Sequence, residues 1–290
     1  MTTLKENNMK IKMAIPKGKL QIEIFKLLAD IGIDIMGDER NYRPSCSDER
    51  FEIKLLKGQN IPSLVELGQH DIGFSGLDWI AEQGAEVEVI KPLGFNPVQI
   101  VACIPEDWDY ESLKQRKIIV ATEYMNLAQQ FLDKNGFDAT LIRSYGATEV
   151  FPPEDADMVI DNTSTGSTIK ANRLKICDVV YESATQFFAN KAALQDPEKK
   201  AVIDDMLLLI NGVMNARKRV LLEMNCLSEN IEKIVALLPA MRSPTVSQLF
   251  NSDAYSVRAA IPKVAAKDLI PKLKQAGATD ILELPIRKVV

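Results

Sequence analysis

Met158-Val159-Ile160-Asp161-Asn162-Thr163-Ser164-Thr165-Gly166-Ser167-Thr168-Ile169 reads as a short apolar strand, a run of hydroxyl residues and Gly, and the opening of a helix. A strand that passes into a helix through such a turn is a unit of an α/β layer fold. The turn's backbone N–H groups and hydroxyls converge at the helix start, which is the chemistry of a phosphate cradle. Thr163 to Thr168 carry more hydroxyls than a helix cap requires. Asp161, at the end of the strand, is positioned to accept hydrogen bonds from the vicinal hydroxyls of a ribose.

The same alternation extends outward in both directions. Ile11 to Ile15 is an apolar run ending at Pro16, and Gly18 opens a segment with Leu20, Ile24, Leu27, Leu28 and Ile31 on one helical face. Phe51, Ile53 and Leu55 alternate as a strand; 61–67 reads as a helix, 71–74 as a strand and 77–82 as a helix. Gly94-Phe95-Asn96-Pro97 reads as a crossing between lobes, because a second set begins at once. That set has strands at 98–104 and 118–121, a helix over 124–135, and strands at 140–143, 158–160 and 176–181. Asp196-Pro197 starts a helix that runs to about Ala216. The expected fold class is α/β, with two lobes on largely parallel sheets and a cleft between them. Residues 9–97 with 183–216 are expected to form lobe I, and 98–182 lobe II, which carries the cradle.

Residues 217–290 read as a separate unit in the order strand, helix, strand, strand, helix, strand, with Gly277 as a helix C-terminal signal. This is the ferredoxin-like pattern, common among regulatory modules. Charge marks the same division. Arg217 to Val290 hold 12 Lys/Arg against 7 Asp/Glu, whereas residues 1–216 hold 23 against 33.

Composition narrows the chemistry. With 290 residues, 46% apolar and 26% charged, the chain can bury a real core, and a disordered reading is out. His70 is the sole histidine, so any Ser/His/Asp or Cys/His mechanism has a single candidate, and it lies in a polar turn that suits a surface or partly satisfied histidine better than a catalytic one. Cys46, Cys103, Cys177 and Cys226 form no C-x-x-C pair, which fits reduced thiols in a cytosolic protein. A net charge of −5 argues against nucleic-acid binding. The polar segment Met1 to Lys10 and the lack of any apolar run of membrane-spanning length predict a soluble, cytoplasmic protein.

Asp161-x-x-Ser164-Thr165-Gly166-x-Thr168, with Glu149 and Asp157-Met158-Val159-Ile160 before it, resembles the signature of the ATP phosphoribosyltransferase family. Other segments resemble the long form of that family: Pro16-Lys17-Gly18-Lys19-Leu20, Asp71-Ile72-Gly73-Phe74-Ser75-Gly76, Ala121-Thr122-Glu123-Tyr124, Ser243-Pro244-Thr245-Val246-Ser247, and Gly277-Ala278 before Asp280-Ile281-Leu282. The resemblance implies a two-lobed body of the periplasmic-binding-protein kind with a ferredoxin-like, ACT-like regulatory domain. It implies that N1 of ATP displaces pyrophosphate from C1 of phosphoribosyl pyrophosphate, with Mg²⁺ as cofactor, in the first step of histidine biosynthesis.

Residue by residue, it puts the 5′-phosphate on Thr163, Ser164, Thr165, Gly166, Ser167 and Thr168, and the ribose hydroxyls on Asp161. Glu149 falls near the ribose or the metal, with Asp161 as the other metal-side carboxylate. Lys17, Gly18, Lys19, Lys57 and Gly76 fall on ATP or pyrophosphate. Where the family has Arg-x-x-Asp-Ile-Pro, this chain has Lys57-Gly58-Gln59-Asn60-Ile61-Pro62, which keeps the charge but loses the planar fork. In the tail, Asn225, Met241, Ser243, Thr245 and Ala278 are implied to bind histidine as feedback inhibitor where two such domains meet, in a homo-oligomer expected to be a dimer or hexamer. The competing readings are a two-lobed solute-binding protein and a phosphoribosyltransferase acting on a free base. A dinucleotide oxidoreductase fails because no G-x-G-x-x-G follows a strand.

Overall fold

The computed structural model describes residues 9–37 and 41–290, so of the polar N-terminal segment only Met9 and Lys10 lie within the described residues. Residues up to Ile203 belong to one compact unit and Asp204–Val290 to a second.

The first lobe contains β1 (Ile11–Pro16), α1 (Lys19–Ile31), a short pair β2 (Ile35–Met36) and β3 (Ser45–Cys46), β4 (Phe51–Leu56), α2 (Ile61–Glu66), β5 (Ile72–Gly76), α3 (Leu77–Gln83) and β6 (Glu88–Pro92). Ile24, Leu27, Leu28 and Ile31 fall on one face of α1 and are buried, each contributing about 1.5–3 kcal/mol. Gly32 ends that helix in the left-handed region (φ 98°), with its N–H returned to the Ala29 carbonyl.

The second lobe contains β7 (Val98–Pro105), β8 (Ile118–Thr122), α4 (Met125–Asn135), β9 (Ala139–Arg143), β10 (Met158–Thr163), α5 (Ser167–Ala171) and β11 (Leu174–Ser183). The chain then returns to the first lobe as β12 (Thr185–Ala189). The sheet orders are β4-β1-β5-β12-β6 and β11-β7-β10-β8-β9. In each, one strand opposes the rest: β12 runs against β5 and β6, and β7 against β10 and β11. The largely parallel α/β body is therefore present, with one reversed strand per lobe.

Two elements carried no periodic signal. Thr185-Gln186-Phe187-Phe188-Ala189 is buried at every position, so no alternation marks it as a strand. The edge strand β6 is largely exposed and has no inward face to read.

The crossing expected at 94–97 is one of two. Ser183 of β11 pairs with Val98 in the second lobe, Thr185 of β12 pairs with Gly76 in the first, and only Ala184 separates them. The N–H and hydroxyl of Thr185 both donate to the Phe95 carbonyl (3.0 and 2.9 Å), tying one crossing strand to the other. Asn96 takes a left-handed φ of 44° to make the passage.

Asp196 starts α6 (Pro197–Ala216) as expected, with Oδ1 accepting from the N–H groups of Glu198 and Lys199 (3.0 and 3.2 Å). The following elements are β13 (Arg219–Leu227), α7 (Ile231–Leu237), β14 (Thr245–Gln248), β15 (Ala254–Pro262), α8 (Lys263–Gln275) and β16 (Thr279–Pro285). Their order β14-β15-β13-β16, antiparallel throughout, is the ferredoxin-like arrangement. Val220, Leu222, Met224 and Cys226 alternate inward from β13. Gly277 (φ 99°) follows α8, and a Cβ there would meet Asn230 Nδ2 at 2.5 Å. Among the described residues, no helix is long and apolar enough to cross a membrane.

Candidate active site

A cavity of about 540 Å³ opens between the two lobes, within the range of small-molecule sites. The second lobe supplies Glu149, Asp161, Thr163, Ser164, Thr165, Ser167 and Thr168 to its lining, and the first supplies Lys19 and Gly76. Nine sequence-derived candidates from four separate segments thus face one space.

The cradle is built differently from the sequence expectation. β10 extends through Thr163, and α5 is only five residues long, so its dipole contributes little. What the turn offers an anion is local N–H and O–H donors. Thr163 Oγ1 accepts from the Gly166 N–H (2.9 Å), which shapes the turn and leaves the Thr163 proton free to donate. Thr165 Oγ1 and Ser167 Oγ lie 3.0 Å apart. Gly166 takes φ 72°, with nothing nearer than 3.8 Å to an added Cβ, so conformation rather than space requires glycine there.

Asp161 is partly buried at the rim of this turn. Burial pushes its carboxyl up to about 6, against the pull of hydrogen bonds from the Asn162 N–H and the Thr148 hydroxyl, and the charges of Glu123 and Glu149 push it further. Thr148 is fully buried and shares a 2.8 Å hydrogen bond with Ser144. Glu149 stands beside it in a short 3₁₀ turn entered through Ala147 at φ 49°. Among the described residues, no group of three or more metal-ligating side chains occurs.

The cavity lining also includes Asp78, Trp79, Tyr124, Asn162 and Ser183, which the sequence did not single out as site residues. Trp79 stacks on Tyr124, with ring centroids 4.6 Å apart and planes inclined by 24°. One turn along α3 from Asp78, the buried Glu82 carboxylate accepts from the N–H groups of Asn126 and Leu127 (3.1 and 3.0 Å). An acid of the first lobe thereby caps the helix α4 of the second. A signal for these residues existed in Ala121-Thr122-Glu123-Tyr124, but it showed a resemblance and not a contact.

Lys17, Gly18 and Lys57 lie outside the cavity lining. Gly18 takes φ 94° and ψ −146°, a conformation only glycine adopts readily, and turns β1 into α1. Lys17 Nζ sits 3.9 Å above the ring of Tyr42. Lys57 enters a 3₁₀ turn whose Gly58 carbonyl accepts from the Ser75 hydroxyl (2.8 Å).

His70 is the partly satisfied histidine of the two expected alternatives: it is buried and not at the surface, and among the described residues Nδ1 has no hydrogen-bond partner. Burial and the charges of Lys54 and Lys12 hold its pKa below the ordinary value. In the tail, Asn225 Nδ2 donates to Asp280 (3.0 Å), and Asn225 pairs with Thr279 beside the buried Ala278. Met241, Ser243 and Thr245 lie toward the opposite edge of the sheet, where the Met241 N–H donates to Ala260 and Thr245 pairs with Arg258. A single chain divides these five residues into two groups.

Two α/β lobes joined by crossing strands, with a hydroxyl-rich turn and a carboxylate facing their shared cleft, place the chain among two-lobed α/β proteins with a polar cleft. Family models agree: residues 57–212 match ATP phosphoribosyltransferase, and 216–288 match the HisG C-terminal domain. An ATP phosphoribosyltransferase of Pelotomaculum thermopropionicum is 40% identical over 288 residues, covering 97% of this chain and 100% of its own. One from Desulforudis audaxviator is 40% identical over 289 residues, with the same coverage of both chains. The fold is similar to the solved ATP phosphoribosyl transferase (HisG:HisZ) complex from Thermotoga maritima, with a TM-score of 0.62 at 23% identity over 69% of this chain and 98% of that one. The chain belongs to the ATP phosphoribosyltransferase family. It is an enzyme of the first step of histidine biosynthesis.

Proposed function

We propose that the cleft binds phosphoribosyl pyrophosphate on the second lobe and ATP on the first, and that N1 of the adenine displaces pyrophosphate from C1 of the ribose. The observation that carries this reading is the meeting of Asp161 with the Thr163–Thr168 turn in one cavity. The turn's N–H and O–H donors take the 5′-phosphate, with Thr163, Ser164, Thr165, Gly166, Ser167 and Thr168 as its residues. The Asp161 carboxylate accepts from the ribose hydroxyls and faces the positive charge that develops at C1. No side-chain nucleophile is needed, so catalysis is positioning and electrostatics. Lys17 and Lys19, with the Gly18 turn between them, meet phosphates of ATP or the departing pyrophosphate. Lys57 and Gly76 border the same region.

The residues present fit Mg²⁺ only as partial ligands. Burial is the main reason the Asp161 carboxyl is raised, with the charges of Glu123 and Glu149 adding to it, and Asp161 and Glu149 are the carboxylates that would hold the ion. When bound, the ion supplies charge neutralisation for the leaving group.

In this reading residues 9–97 with 183–216 and residues 98–182 are the two catalytic lobes, and 217–290 is the regulatory domain of a cytoplasmic homo-oligomer, dimeric or hexameric. Histidine binds between two such domains, which brings Asn225 and Ala278 of one copy toward Met241, Ser243 and Thr245 of another. Histidine then inhibits by favouring one quaternary arrangement. Asn225→Ala should weaken that inhibition about tenfold, the loss of one or two hydrogen bonds to a charged ligand.

The reaction is tested by mixing the protein with ATP, phosphoribosyl pyrophosphate and Mg²⁺. Pyrophosphate and a new ATP-derived product are expected. Turnover with a free purine, and none with ATP, would transfer the reading to a different phosphoribosyltransferase.

A further inference from the structure

Asp78 is an acid with almost no access to water, 4% exposed at the start of α3. Its carboxylate folds back over the preceding turn so closely that a Cβ on Gly76 would meet Oδ1 at 2.0 Å. Oδ1 accepts from the Ser183 hydroxyl (2.5 Å), whose oxygen in turn accepts from the Asp78 N–H (3.0 Å). Oδ2 accepts from the Tyr124 hydroxyl (2.9 Å). Tyr124 is 1% exposed, and its oxygen accepts from Asn162 Nδ2 (3.2 Å). Asn162 then donates twice to Asp161 Oδ1, from its N–H (2.7 Å) and from Nδ2 (3.2 Å).

These bonds run in one direction. Both oxygens of Asp78 accept, so the hydroxyl protons of Ser183 and Tyr124 point toward it. The oxygen of Tyr124 is thereby left as an acceptor, which fixes the Asn162 amide with its NH₂ toward Tyr124 and Asp161. An asparagine in place of Asp78 would have the same volume but a donor at one end, and the order would be lost. A buried carboxylate satisfied only by neutral donors is costly, and apolar residues of similar size are often as good for stability. The chain also joins three parts of the molecule. Asp78 belongs to the first lobe, Tyr124, Asn162 and Asp161 to the second, and Ser183 to a crossing strand one residue short of β12.

We propose that Asp78 and Tyr124 are positioning residues for phosphoribosyl transfer: acting through Asn162, they aim the Asp161 carboxylate, and they do so in the lobe arrangement that brings α3 against Tyr124. The proposal rests on the reading of Asp161 as the group that contacts the ribose. Both residues line the cavity, and the role proposed for them runs through Asn162 to Asp161 rather than through the reacting atoms.

The test is a set of double-mutant cycles on kcat/KM for phosphoribosyl pyrophosphate in the full-length chain, with ATP saturating. Tyr124→Phe keeps the ring and its stacking on Trp79, removes the hydroxyl's bonds to both Asp78 and Asn162, and should cost about tenfold in the native background. In the Asn162→Ala background the same change should cost less than about twofold, because the residue through which it acts is gone. Asp78→Asn should behave in the same way. Equal costs in both backgrounds would mean a general structural role and would overturn the proposal. Asp161→Asn separates it from the reading beneath it. If Asp161→Asn leaves kcat/KM intact, the ribose role fails. If Asp161→Asn is crippling while Tyr124→Phe and Asp78→Asn are both silent, only the positioning role fails. Should Tyr124→Phe not fold, the Asp78→Asn and Asn162→Ala cycle decides the matter alone.

Discussion

The two lobes each turn a strand into a helix near the cleft, the first reaching its lining only from Lys19 onward, and they do so with opposite chemistry. In the first lobe the turn is Pro16-Lys17-Gly18-Lys19, with two cations and a following helix of 13 residues. In the second it is Thr163 to Thr168, with hydroxyls, no cation and a helix of five. A point charge on a flexible stem attracts a phosphate from several directions and is screened by salt. A ring of short donors accepts a phosphate in one pose and is nearly indifferent to salt. The hydroxyl turn is thus suited to the donor sugar, whose C1 must be aimed, and the lysine turn to a polyanion that must be attracted and then released.

The largest effect expected from this contrast is at Asp161, the charged group on the hydroxyl side. Asp161→Ala should lower kcat/KM for phosphoribosyl pyrophosphate about a thousandfold, roughly 4 kcal/mol, read from initial rates of pyrophosphate release. Thr168→Ala should follow with a loss of about tenfold to a hundredfold, one charge-assisted hydrogen bond, unchanged between low and high salt. Lys17→Met should cost about tenfold at low ionic strength, shrinking to about twofold near 0.5 M salt as screening removes the charge term. A salt-dependent Thr168→Ala, or a salt-independent Lys17→Met, would break the comparison.

The smallest effect is on stability. Asp161 has its carboxyl raised from 3.8 to about 6 in the fold, so the protonated form is the one the fold favours. The group therefore adds stability below about pH 4, and that stability is lost as pH rises through 6. Asp161→Asn should raise Tm at pH 8 by a few degrees, about 1–2 kcal/mol after allowance for partial exposure, and should leave it nearly unchanged at pH 4. Thermal melts at the two pH values check the sign. Activity and stability would then move in opposite directions at one residue, as expected where a site stores unfavourable charge.

Much of this was legible in the sequence, because the signals are local. The α1 stripe of Ile24, Leu27, Leu28 and Ile31, the Asp196 cap and the hydroxyl turn each depend on residues a few positions apart. The ferredoxin-like order of the tail follows from alternation and from Gly277. β12 was hidden because burial on both faces erases alternation. The Asp78 network was hidden for another reason: Asp78 meets Tyr124 46 positions later and Ser183 105 positions later. Nothing in the spacing of Ser75-Gly76-Leu77-Asp78 shows that its carboxylate closes a joint between lobes. The division of Asn225 and Ala278 from Met241, Ser243 and Thr245 was equally beyond reach, since only sheet order sets them apart.

The assignment of one substrate to each turn is tested most directly by steady-state rates with both substrates varied, comparing Thr168→Ala with Lys19→Met. The account predicts that Thr168→Ala raises KM for phosphoribosyl pyrophosphate about tenfold or more and leaves KM for ATP within about twofold, and that Lys19→Met does the reverse. Equal rises in both KM values for each variant, or an exchange of the two patterns, would contradict it.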